Sequence, residues 1–80
     1  MATLWFQNNQ GLEREIAKVN NFDEVFSEID RFIEKCNTGR PIEKQFKRYY
    51  VRVYEEEGRT KLDVGSWSEF FYTDLKYEEN

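Results

Sequence analysis

An α+β fold, one amphipathic helix packed on an antiparallel sheet of about five strands, is predicted by three observations in this 80-residue chain. Residues 22–36 repeat apolar side chains at steps of three and four, the period of a helix with one buried face. From residue 46 onward the period changes to two, the alternation of a half-buried strand. Turn-forming clusters separate short aromatic and β-branched runs on either side of the helix. The predicted order is β-β-α-β-β-β in a single domain, residues 1–80, with residues 76–80 as a frayed polar tail.

The elements follow in order. "TLWF", Thr3 to Phe6, is short, aromatic and β-prone, and "NNQG", Asn8 to Gly11, is a turn signal behind it. "LEREIAKV" fits two patterns: Leu12, Ile16 and Val19 form a helical stripe, while the alternation of Glu13 and Glu15 fits a strand. A turn between two short apolar segments favours the hairpin. Asn21 is placed to cap the helix, and Glu24 three residues later completes a capping box. Phe22, Val25, Phe26, Ile29, Phe32, Ile33 and Cys36 share one face; Asp23 and Glu24 at the start and Lys35 near the end match the helix dipole. Asn37, Gly39 and Pro41 end the helix after about Cys36. Beyond it, Tyr49, Val51 and Val53 point one way and Arg48, Tyr50, Arg52 and Tyr54 the other. "EEEGR", Glu55 to Arg59, is a turn with Gly58 available for positive φ. Leu62 and Val64 alternate with Lys61 and Asp63; Gly65 and Ser66 bend the chain before the aromatic strand "WSEFFYTDL". In that strand Trp67, Phe71 and Thr73 oppose Ser68, Phe70 and Tyr72.

Composition bounds the class. Aromatic residues are 18% of the chain and charged residues 35%, with a net charge of −4. A core of a few large rings in a soluble, mildly acidic domain fits those figures. Cys36 has no partner for an internal disulfide, and "MATLWFQNNQ" has neither the basic start nor the apolar run of a signal peptide. A cytoplasmic location in a reducing compartment is therefore expected, with no membrane span.

The chain has no histidine and one cysteine, which removes the commonest general base and any ordinary zinc site. Cys36, in the last turn of the apolar stripe, reads as a small buried hydrophobe rather than a nucleophile. No dinucleotide-binding, P-loop or EF-hand pattern occurs. Neither catalysis nor a cofactor nor a metal is expected, and binding remains.

One small helix covers only one face of such a sheet, so function is sought on the other. There Arg48, Tyr50, Arg52, Tyr54 and Trp67 form the candidate partner-binding set, because Tyr, Trp and Arg are the residue types enriched at interface hot spots. The opposing reading is a wet strand face whose arginines are neutralised by cross-strand acids such as Glu69 or Asp63. Charge is blocked: residues 1–39 carry net −3, residues 40–54 net +4 and residues 55–80 net −5. The basic band also suggests single-stranded nucleic acid, stacked on tyrosines and held by arginines, but the acidic total argues against it. Another alternative is a nucleic-acid mimic, with Asp23, Glu24, Glu28, Asp30 and Glu34 on the outer helix face and Glu55, Glu56 and Glu57 beyond. Its rival is an ordinary solvated helix face, with Arg31 and Lys35 interspersed among the acids.

Taken together, "GLEREIAKV", the Phe22–Cys36 helix, "YYVRVY" and "DVGSWSEFFY" resemble small uncharacterised proteins encoded by phages and prophages of Gram-positive bacteria. The resemblance spans most of the chain and carries no site residues with it. It implies a protein that acts by binding a host or phage protein, as an inhibitor or modulator of a defence or nucleic-acid-processing component. A homodimer is the other partner considered.

Overall fold

The first strand, β1 (Ala2–Gln7), turns Leu4 and Phe6 to one side and Thr3, Trp5 and Gln7 to the other. The computed structural model describes residues 1–45, 50–65 and 68–76. Asn8 closes the first turn: its side-chain oxygen accepts from the backbone amides of Gln10 and Leu12, and Gly11 takes a φ of 82° that costs glycine little. The chain then returns as β2 (Glu13–Val19), antiparallel to β1. The register slips between Leu4 and Trp5, which pair with Ala17 and Glu15, so Ile16 is the extra residue of a β-bulge. In a regular strand Ile16 and Val19, three apart, would face opposite ways; both pack on the core here. The bulge accounts for the helix-like spacing of this segment.

Helix α1 (Phe22–Asn37) starts at Asn21, whose side-chain oxygen accepts from the Glu24 amide at 2.9 Å. Glu24 reaches back in turn, one residue further than the expected box, to the Asn20 amide at 2.8 Å. Replacing Asn21 by Ala should cost about 1 kcal/mol, read as a lower urea midpoint at unchanged m-value. Val25, Ile29 and Ile33 are buried, while Phe22, Phe26 and Phe32 pack at the margins of the core. The helix ends at Asn37, one residue past the expected stop, and Gly39 follows at a φ of 82°. After Pro41 comes a short 3₁₀ turn, Ile42–Lys44.

Three strands close the sheet: β3 (Arg52–Glu56), β4 (Arg59–Asp63) and β5 (Phe70–Thr73). Glu57 and Gly58 join β3 to β4 at φ 52° and 80°, a two-residue turn with both central residues left-handed, whose twist suits a hairpin. Among the described residues, the strand expected from residue 46 begins at Arg52. Its ladder is as long as β4, since Arg52 pairs with Asp63, where β4 ends. Phe46, Lys47, Arg48 and Tyr49 lie outside the described residues, as do Ser66, Trp67 and most of the predicted tail (residues 77–80).

All five strands are antiparallel in the order β2-β1-β5-β4-β3. The predicted class, one helix on a five-stranded antiparallel sheet, is the observed one. The core lies between α1 and one sheet face: Leu4, Phe6, Val19, Leu62, Val64 and Phe71 meet Val25, Ile29 and Ile33. Thr60 and Thr73, also buried on this side, pair across β4 and β5. Their hydroxyls are satisfied locally, Thr60 Oγ1 donating to the Leu75 carbonyl and Thr73 Oγ1 accepting from the Leu75 amide. No helix among the described residues is long and apolar enough to cross a membrane.

Candidate binding face

Strand alternation fixes what the uncovered sheet face carries. It receives Trp5 from β1, Tyr54 and Arg52 from β3, Arg59, Lys61 and Asp63 from β4, and Phe70 and Tyr72 from β5. This is the phase expected for Tyr50, Arg52 and Tyr54 opposite Val51 and Val53, both of which pack against the core.

The middle of this face is sealed by its own cations. The Arg59 guanidinium lies 4.3 Å from the Tyr72 ring centroid and 5.5 Å from that of Trp5. It ends in a two-pronged ion pair with Glu13, at 2.7 and 2.9 Å. Glu13 is on β2 and Arg59 on β4, with β1 and β5 between them. Sheet twist makes one diagonal of a sheet concave, and this pair closes that diagonal over the rings. Lys61 covers the adjoining ground: its Nζ is 4.0 Å from the Phe70 centroid, 5.7 Å from those of Tyr54 and Tyr72, and 3.0 Å from a Glu56 carboxylate oxygen. Tyr72 is left only 5% exposed although no helix covers it, and its hydroxyl donates to Gln7 Oε1 at 3.3 Å. The stems of Arg59 and Lys61 thus do the covering expected of a partner or a curled sheet.

The ionisation of these groups follows. The Arg59 hydrogen bonds hold the Glu13 carboxyl below its ordinary value, outweighing the opposite pull of burial. The same bonds raise Arg59. For Lys61, burial pulls the ammonium down, but the hydrogen bond to Glu56 and the neighbouring Tyr72 and Tyr54 together place it above its ordinary value.

The β3 margin is different. Tyr50 is 46% exposed and Tyr54 43%, and between them Arg52 is exposed, its guanidinium 4.9 Å from the Tyr50 ring centroid. In the sheet order β3 is an edge. Because a two-residue turn makes Glu56 and Arg59 a hydrogen-bonded pair, the N–H and C=O of Val53 and Glu55 point away from β4. Tyr54, Arg52 and a row of outward backbone groups therefore coincide on β3, with the exposed Tyr50 ring two residues before it, against Arg52. Of the expected set, Tyr50, Arg52 and Tyr54 are brought together; Arg48 and Trp67 lie outside the described residues.

The acidic set is divided by the fold. Asp23, Asp30 and Glu34 are exposed on α1, whereas Glu24 is spent on the helix start and Glu28 pairs with Arg31 at 3.4 Å. Glu55 is exposed on β3, Glu56 is bound to Lys61, and Glu57 occupies the turn. Sequence reasoning also missed residues. In sequence Arg59 ends a turn and Glu13 lies in a segment that fits two patterns; their meeting has no local signal, though the phase of Arg59 with Lys61 identifies the face. Cys36, expected buried, is only half-buried. It sits in the last full turn of α1, where the helix overhangs the β1–β2 turn and an open groove of about 380 Å³ begins. Compared with protein-family models, with curated proteins and with solved structures, the chain gives no match.

Proposed function

We propose that this protein is a non-enzymatic protein-binding module whose contact surface is the β3 margin, with Tyr50 and Tyr54 as anchors and Arg52 between them. The observation that carries the reading is the contrast within one face. Arg59 and Lys61 close the rings of Trp5, Phe70 and Tyr72, and Tyr50 and Tyr54 at the β3 margin stay open. Large rings left exposed beside outward backbone groups suit a partner that adds an extended segment to the sheet edge and packs side chains on the tyrosines. The resemblance to phage-encoded proteins makes a host protein the expected partner, with this chain its inhibitor or modulator. A nucleic-acid strand fits less well: Arg52 stands opposite Asp63, three glutamates follow it, and Lys18, Arg59 and Lys61 on the same face are each held by a carboxylate.

The test is capture from bacterial lysate by the immobilised wild-type chain, by Tyr50→Ala and by Tyr54→Ala, with melting curves run in parallel. Loss of an anchoring ring should weaken the captured complex by about 2 kcal/mol or more, about thirtyfold. The same variants should melt within a few degrees of the wild type, because both side chains stand outside the core. Equal capture by all three proteins would refute the reading.

A further inference from the structure

The groove at the other end of the molecule stands apart from the β3 surface. It runs between the last turns of α1 and the β1–β2 turn, lined by the buried Phe6 ring, the partly buried Phe32 ring, the exposed Leu12 and the half-buried Cys36. The two rings pack at 4.5 Å between centroids and tilt by 44°, so they form one continuous apolar surface. Leu12 is 64% exposed, an apolar side chain held out over the opening by the Asn8 turn. The volume, about 380 Å³, is within the roughly 300–1,000 Å³ of small-molecule sites.

Charge decides what such a groove would hold. Glu13 borders it, but both its carboxylate oxygens are taken by Arg59 on the opposite sheet face. Arg14 projects on the groove side, its guanidinium 5.5 Å from the Phe32 centroid. Lys35 lines a smaller hollow of about 50 Å³ on the far side of Phe32. Among the described residues neither Arg14 nor Lys35 has an acidic partner. The Arg14 guanidinium rests over the Phe32 ring, and its N–H donors, with no acidic partner among the described residues, suit a carboxylate.

We infer that this groove is a binding site for a small amphipathic organic anion, its apolar body on Phe6 and Phe32 under Leu12 and its carboxylate on Arg14. The probes are 4-phenylbutyrate and 4-phenylbutylamine, which share a carbon skeleton and differ in the sign of the charge. The acid should bind with a dissociation constant of about 1 mM, the range open to a ligand of this size. The amine should bind at least about tenfold more weakly, since it meets Arg14 with like charge. Amide chemical-shift changes should centre on Leu12, Arg14, Phe32 and Cys36 and spare Arg52 to Glu56. Arg14→Gln, checked by its melting curve, should bring the two affinities within about threefold of each other. Equal binding of acid and amine by the wild type, no binding of the acid at 10-fold above that concentration (about 10 mM), or shifts centred on β3 would each overturn the assignment. The partner-binding reading would stand in all three cases.

Discussion

Phe71→Ala should unfold most of this protein at temperatures where the wild type is folded. Phe71 is fully buried at the middle of the sheet, paired with Phe6 across β1 and with Leu62 across β4. Its ring meets Phe6 at 5.3 Å and takes Phe32 edge-on at 5.8 Å and 89°. Truncation removes the side chain that joins the sheet to the helix and leaves a cavity between rigid layers, at a cost of about 3–5 kcal/mol. An 80-residue domain has a total stability of about 4–12 kcal/mol, so the loss is a large share of it. The melting midpoint should fall by at least about 15 °C. Phe26→Ala is the informative comparison. Phe26 lies at the margin of the core against Phe22, 6.1 Å away, and is only partly buried. It should cost less than half as much. Equal losses would mean that the helix packs on the sheet through its flank rather than through Val25, Ile29 and Ile33.

The contrast between Phe71 and Phe26 also marks how far the sequence could be read. Period and caps were enough for α1, because Asn21, Glu24 and the apolar spacing are all local, and local signals survive folding unchanged. The face assignment of Tyr50, Arg52 and Tyr54 was legible for the same reason: alternation is a property of neighbours. Which apolar residue of the stripe sits deepest was not legible. Phe26 and Ile29 look equivalent along the helix and are separated only by where Leu4, Leu62 and Phe71 arrive from distant segments. The start of β3 depended on the length of β4, and the helix-like spacing of Ile16 and Val19 concealed a bulge. Least visible was the sealing of the open face. Arg59 and Glu13 are 46 residues apart, and only the strand order β2-β1-β5-β4 places them on one diagonal. Composition suggested an aromatic face in need of a partner; topology supplied two cations that cover its centre, and among the described residues the exposed rings are Tyr50 and Tyr54 at the β3 margin.

Arg59→Ala tests that cover, and its effect should depend on pH. At neutral pH the substitution removes a bidentate ion pair and uncovers Trp5 and Tyr72 together. Hydrogen bonds to charged groups contribute about 1.5–3 kcal/mol when well made. Each side chain of this pair is about a third exposed, which reduces that figure by solvent screening. Adding the lost ring contacts, about 0.5–1 kcal/mol, the variant should be roughly 2 kcal/mol less stable than the wild type. Glu13 has a lower pKa in the folded chain than in the unfolded one, where a glutamate titrates near 4.3. The pair's contribution is therefore complete above that value and is lost as pH falls through the depressed folded value. The gap between wild type and Arg59→Ala, measured by urea unfolding, should accordingly be widest near pH 7 and narrow steadily below about pH 4. Arg59→Lys should recover less than half of it, because an ammonium can cover a ring but cannot grip both Glu13 oxygens. A gap that stayed constant down to pH 3 would show Arg59 acting through the rings alone, with the diagonal pair to Glu13 contributing nothing to stability.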